Sequence, residues 1–430
     1  MQITPIPHPL NATVRVPGSK SLTNRALLIA SLARGTTQLQ NALFSDDSLY
    51  FAEALQTLGF DIRLDEARQE MTVTGLGGTI PTDKAELFVG NAGTAARFLT
   101  AFLTLGYGEY VLDGDARMRE RPIQDLINSL NQLGVELESK NGCPPVEISA
   151  RGLPGGKTKI AGTISSQFLS ALLMVAPYAR SPIEIEVTTE LNSKPYVDMT
   201  LAIMKDFGVD VQRNNYQSFK IPITTYQLPR VTPGLEAPVS TYGIEPDASA
   251  ASYFFAAPAI CGGTVRVENI SRTSKQGDIA FLDVLRQMGC IIKEGADFIE
   301  VTGANALMGV DIDMRDIPDT AQTLAVIAPF ASSPTRIRGI ASARVKETDR
   351  VHATCTELRR LGIRVEEHED GMTIYPCSEI QRGTIQTYND HRMAMAFALI
   401  GLRVDGICIE NPSCVSKTFP GYFDVLDMLR

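Results

Sequence analysis

The densest group of ionisable side chains is Arg344-Val345-Lys346-Glu347-Thr348-Asp349-Arg350, which reads as the start of a helix, Glu347–Leu361. On a helix Lys346 and Arg350, four residues apart, would share a face, with Glu347 one turn from Arg350. Surface ion pairing explains most runs of this kind. A carboxylate among cations can also move a proton beside an anionic reactant. More cations stand in polar turns before helices: Pro17-Gly18-Ser19-Lys20-Ser21-Leu22-Thr23-Asn24-Arg25, Arg119-Glu120-Arg121-Pro122, Tyr388-Asn389-Asp390-His391-Arg392 and Lys417-Thr418-Phe419-Pro420. Unpaired N–H groups and a positive dipole end make a helix start receptive to anions and unfavourable for cations. One such turn is a capped helix with solvated charges. Several in equivalent places imply many cations around one doubly anionic ligand set.

Other chemistries fit poorly. Gly18-Ser19-Lys20-Ser21 lacks the first glycine of a Walker loop, which excludes a P-loop ATPase. Thr74-Gly75-Leu76-Gly77-Gly78 lies between strands instead of opening a helix, so it is not a dinucleotide site. Seven cysteines form no CxxC pair, and with four scattered histidines they predict neither a metal site nor a disulfide framework.

The polar turns recur. Ser21, Thr94, Ser166, Asp247, Asp319 and Asp390 each precede or open an Ala-, Leu-, Phe- and Met-rich run, about every 72 residues with one longer gap of about 81. Glycines 59, 134, 208, 289 and 362, each after Leu, Phe or Met, mark helix C-termini with the same period. Six copies of a βαβαββ unit follow. The first copy reads as strand Thr13–Val16, helix Ser21–Ala33, strand Thr36–Gln40, helix Asp46–Leu58 capped from Ser45-Asp46-Asp47, then strands Phe60–Leu64 and Met71–Thr74. In the second copy the second helix reads Arg121–Leu133. The sixth ends after a helix at Tyr422–Leu429, so its closing strands are expected from the N-terminal segment Gln2–Val16. Copies one to three open with Ser or Thr and four to six with Asp. Capping explains most of that asymmetry, and carboxylates for proton transfer are its functional reading.

The long gap contains the proline-rich run Gln227–Pro238, a linker dividing the repeats three and three. The expected fold is α/β, with two inverse domains of three units each, at 19–241 and at 1–18 plus 242–430. The chain would cross twice between them, near Pro17-Gly18 and near Pro238–Tyr242. A double crossing is a hinge, and a cleft between domains is a common ligand site. The net charge of −9 over 430 residues argues against nucleic-acid or membrane-surface partners. With no signal-peptide pattern and no membrane-length apolar run, the cytoplasm is the expected location.

Eight segments carry a resemblance over essentially the whole chain: Val16-Pro17-Gly18-Ser19-Lys20-Ser21, Gly90-Asn91-Ala92-Gly93-Thr94-Ala95, Arg119-Glu120-Arg121-Pro122-Ile123, Ser165-Ser166-Gln167-Phe168-Leu169, Ser193-Lys194-Pro195-Tyr196, Arg344–Arg350, Tyr388–Met395 and Lys417-Thr418-Phe419-Pro420. In that order they resemble the EPSP synthase (3-phosphoshikimate 1-carboxyvinyltransferase) family. The resemblance implies two inverse three-unit domains with a double-crossover hinge. It also implies transfer of the enolpyruvyl group of phosphoenolpyruvate to the 5-hydroxyl of shikimate 3-phosphate in aromatic amino-acid biosynthesis. Neither a metal nor a cofactor is implied, and the chain is expected to be a monomer acting on small molecules.

Carried over by the resemblance, Lys20, Gly93, Arg121, Gln167, Arg350, Arg392 and Lys417 would hold phosphoenolpyruvate. Lys20, Ser21, Arg25, Ser165, Ser166, Gln167, Ser193, Tyr196, Asp319, Ser342 and Lys346 would hold shikimate 3-phosphate. Two phosphates and up to two carboxylates call for this many cations, with arginine suited to bidentate oxyanion binding. Asp319 would be the base, Glu347 the acid and Lys20 a further proton carrier. For Asp319 taken alone, capping a helix is the stronger reading. Ser342 replaces an Asn common in the family, and Phe98 replaces the Pro usual after Arg97 in glyphosate-sensitive members. Gly93, read as leaving space beside the phosphoenolpyruvate site, supports an expectation of sensitivity. The rival acceptor is UDP-N-acetylglucosamine, whose enolpyruvyl transferase typically has Asn after the first-motif Lys and a loop cysteine. Here Ser21 follows Lys20, and no cysteine precedes residue 143. A non-catalytic sugar-phosphate or nucleic-acid binding module is the rival of another class; the Asp319/Glu347 pair and the acidic charge speak against it.

Overall fold

The computed structural model describes residues 1–228 and 239–430. All of the Gln227–Pro238 run except Gln227 and Leu228 lies outside the described residues. The chain divides into a continuous unit, Gly18–Ile244, and a discontinuous one, Met1–Pro17 with Glu245–Arg430.

The continuous unit holds three four-stranded sheets of one design. In the second, Lys84–Phe88 pairs in parallel with Tyr107–Asp113, which pairs antiparallel with Val146–Arg151, and Glu136–Glu138 closes the edge. Each sheet covers helices that face inward. Every residue of the Gly93–Leu103 helix is buried, as are residues 22–32 of the Lys20–Leu32 helix. A helix buried on every side sits in a core, and each buried Leu or Phe there contributes about 1.5–3 kcal/mol. All five period-marking glycines have positive φ, the conformation a side chain would oppose just past a helix end.

In the discontinuous unit two sheets repeat this order, and a smaller one pairs Gly383–Ile385 with Ile407–Ile409. The N-terminal segment serves two of these sheets. Gln2 bridges Cys408, closing the sixth copy by one residue, while Leu10–Val14 runs parallel to Gly263–Val267 in the fourth copy's sheet. The strand expected to open the first copy therefore belongs to the other unit. Its place beside Thr36–Gln40 is taken by Val239–Gly243, in parallel register. Each crossing thus follows a strand that stays in the unit the chain is leaving. No helix among the described residues is long and apolar enough to cross a membrane.

Candidate active site

In the continuous unit the N-terminal halves of four helices are tied together by side chains. Ser19 caps the Lys20–Leu32 helix, accepting the Leu22 N–H at 3.4 Å. Asn24 donates to Thr94 at 2.7 Å, joining that helix to Gly93–Leu103. Arg25 reaches a third helix and a fourth: it donates to Thr200 at 2.7 Å, to the Tyr196 carbonyl at 3.2 Å and to Ser170 at 3.5 Å. A further bond runs to the Ser21 carbonyl at 3.0 Å, and the Phe98 ring lies 5.2 Å from the guanidinium carbon. Burial pulls the Arg25 pKa down to about 10. Its partners are neutral oxygens, with no carboxylate among the described residues.

Ser165 caps the Ser166–Val175 helix by accepting the Gln167 N–H at 3.2 Å. Ser193 stands in the left-handed region, φ 57°, before the Lys194–Asp206 helix that carries Tyr196. Lys20 is 3.2 Å from buried Asp47. Asp47 reads in the sequence as part of a helix cap, and no local signal names it as a partner of Lys20. Arg121 lies on the turn before the Gln124–Gln132 helix, which starts three residues later than its sequence suggests because Pro122 and Ile123 remain outside it. Its guanidinium donates to the Asn91 carbonyl at 2.9 Å and to Asn91 Oδ1 at 2.8 Å. A Cβ on Gly93 would stand 2.5 Å from Arg121 Nη2, so the space expected beside Gly93 is occupied by that guanidinium.

The discontinuous unit centres on Asp319. Its carboxylate receives Lys346 at 2.6 Å, Arg350 at 3.2 Å and Arg392 at 2.8 Å. Asp319 sits inside a short 3-10 turn, Pro318–Thr320, one residue before the N-cap position of the Ala321–Ile327 helix. Asp247 and Asp390 do cap theirs, accepting the N–H of Ala250 and Arg392. Burial works to raise the Asp319 pKa, but Arg392, Lys346 and Arg350 outweigh it and hold the carboxyl well below its usual range. Burial also lowers the Lys346 pKa, against the pull of Asp319.

Arg350 is shared further, with Glu347 at 2.8 Å and Asp390 at 2.7 Å. The helix here is Arg350–Arg360, capped by Asp349 accepting the His352 N–H at 2.9 Å, so Lys346 and Glu347 precede it. They meet Arg350 through a turn and through Asp319, not through a helix face. Ser342 is half-buried in the 3-10 turn Ala341–Val345 just before them. Lys417 ends the 3-10 turn Pro412–Lys417, packed on the helix His391–Gly401 that carries Arg392.

A family model described as EPSP synthase (3-phosphoshikimate 1-carboxyvinyltransferase) matches residues 5–426. The 3-phosphoshikimate 1-carboxyvinyltransferase of Nostoc sp. is 52% identical over 417 residues, covering 96% of each chain. That of Sulfurovum sp. is 49% identical over 423 residues, covering 98% of this chain and 97% of its own. Among solved structures, EPSP synthase from Acinetobacter baumannii superposes with a TM-score of 0.79 at 25% identity, over 100% of this chain and 97% of its own. Sequence, repeat architecture and matched length agree that this chain belongs to the EPSP synthase family.

Proposed function

We propose that the chain transfers the enolpyruvyl group of phosphoenolpyruvate to the 5-hydroxyl of shikimate 3-phosphate by addition and elimination, releasing phosphate. The observation that carries this reading is Asp319, a carboxylate set among Lys346, Arg350 and Arg392. Asp319 takes the 5-hydroxyl proton as that oxygen bonds to the central carbon of phosphoenolpyruvate. Glu347 protonates the methylene carbon, and Lys20 serves as a further proton carrier. Elimination then expels phosphate and removes a proton from the new methyl group. While three cations hold it, Asp319 is a weak base. The anionic groups of phosphoenolpyruvate compete for Arg350 and Arg392, and their partial withdrawal restores its basicity.

Shikimate 3-phosphate is assigned to Lys20, Ser21, Arg25, Ser165, Ser166, Gln167, Ser193 and Tyr196, with Asp319, Ser342 and Lys346. Phosphoenolpyruvate is assigned to Lys20, Gly93, Arg121, Gln167, Arg350, Arg392 and Lys417. The expected domains, 19–241 and 1–18 with 242–430, divide these residues between an acceptor side and an acid–base side. A cytoplasmic monomer is the proposed working form. Phosphate release from phosphoenolpyruvate, measured with shikimate 3-phosphate and with UDP-N-acetylglucosamine as acceptors, tests the reading. Release only with shikimate 3-phosphate is expected, and release only with the nucleotide sugar overturns it.

A further inference from the structure

One buried carboxyl near this cluster, Asp278, has no place in the reaction above. It is 3% exposed and lies in the 3-10 turn Gly277–Ala280. The neighbouring Gln276 fastens that turn to the start of the Ala248–Cys261 helix, accepting the Ala248 N–H at 3.0 Å and donating to the Pro246 carbonyl at 2.7 Å. Asp278 itself accepts a hydrogen bond from Ser249 on the first turn of that helix. Ser249 and Tyr253 are four apart and so lie on one helix face. The Tyr253 hydroxyl receives Arg392 at 3.5 Å, and Arg392 is bound to Asp319 at 2.8 Å. One helix face thus carries Asp278 a single turn from the contact that ends on Asp319.

Resting on the function proposed above, we propose that Asp278 is a positioning residue: from the first turn of this helix it sets how strongly Asp319 holds Arg392, and so how available the base and the anion clamp are. Burial first, then the Asp319 and Asp247 carboxylates, push the Asp278 pKa up to about 6 against the pull of Ser249 and Arg392. On the helix that follows, Asp283 pairs with Arg286 at 2.7 Å and with Arg272, whose guanidinium also donates to the Ile279 carbonyl, next to Asp278, at 2.8 Å. Above about pH 6 the ionised Asp278 competes for the field of Arg392, and Asp319 becomes a stronger base. Below it the neutral carboxyl leaves Arg392 to Asp319.

The test compares wild type with Asp278→Asn in single-turnover rate against pH, both substrates saturating, so that titration of the substrates cancels in the ratio. Equal rates are expected at pH 5, and the variant should be about threefold slower at pH 8, as about one pK unit of base strength gives at an intermediate Brønsted slope. A constant ratio marks a merely structural role and overturns the proposal, as does a ratio of one throughout. Should Asp278→Asn fail to fold, Ser249→Ala takes its place. Loss of that hydrogen bond should move the wild-type inflection to higher pH, and an unmoved inflection overturns the proposal. Infrared titration of the substrate-free wild type gives a readout independent of turnover: a buried carboxyl should titrate between pH 5 and 7, and its absence overturns the proposal. Lack of any enolpyruvyl transfer by wild type would instead contradict the underlying function.

Discussion

Arg392 donates to Asp319 across 2.8 Å, and the two residues stand 73 apart in the chain. That separation is one structural repeat, so equivalent helix starts of neighbouring copies meet side chain to side chain. The same happens in the other unit, where Asn24 reaches Thr94 over 70 residues. Repetition thus delivers several polar first turns to one place in each unit, which a single helix start could not do.

Arg25 should report the acceptor. A buried guanidinium surrounded by neutral oxygens gains strongly from an arriving anion, because little other negative charge offsets its desolvation. Shikimate 3-phosphate is expected to raise the wild-type Tm, and Arg25→Gln should lose most of that shift. An undiminished shift in thermal denaturation would remove Arg25 from the acceptor site.

Gly93→Ala should act through Arg121. The added Cβ would meet Nη2 at 2.5 Å, so the guanidinium has to move. Losing one charge-assisted hydrogen bond raises the KM for phosphoenolpyruvate by about tenfold or more. Binding of shikimate 3-phosphate should be nearly unchanged. Glyphosate is expected to inhibit wild type more tightly than the variant, with steady-state inhibition as the check; an equal or weaker wild-type constant contradicts this.

Asp319 should also leave a signature in stability. Its carboxyl titrates lower in the folded chain than in the unfolded one, so its contribution is complete above about pH 4 and fades as pH falls toward the folded value. Asp319→Asn also leaves three cations short of a partner. A Tm lower than wild type by about 5–10 °C is expected at pH 7. The gap should begin to narrow below about pH 4, where the unfolded chain takes up a proton that folded Asp319 does not yet accept. Thermal scans from pH 3 to 8 check this, and a constant gap would contradict it.

Much of this was legible in the chain because period and residue type are local properties. The polar-to-apolar helix starts located Lys20, Gly93, Ser165, Asp319 and Arg392 on equivalent turns. What escaped depends on three dimensions. Lys346 and Glu347 looked helical because their spacing from Arg350 suits a helix, yet Asp349 caps the chain after them. Asp47 looked like one more capping acid, and only folding brings it to Lys20. The first copy reads as opening with a strand at Thr13–Val16, whereas the strand formed is Leu10–Val14. An alternating apolar strand does not encode its partner, and this one pairs with Gly263–Val267. Asp278 carried no motif, since its environment comes from a helix that begins 30 residues earlier.

The most direct test of the central claim is the single-turnover rate of Asp319→Asn, with binding of each substrate measured by calorimetry on the same protein. General-base removal is expected to slow turnover by about 10²–10⁴-fold, while both substrates still bind. Turnover within a few-fold of wild type would show that another group takes the proton, and would contradict the account.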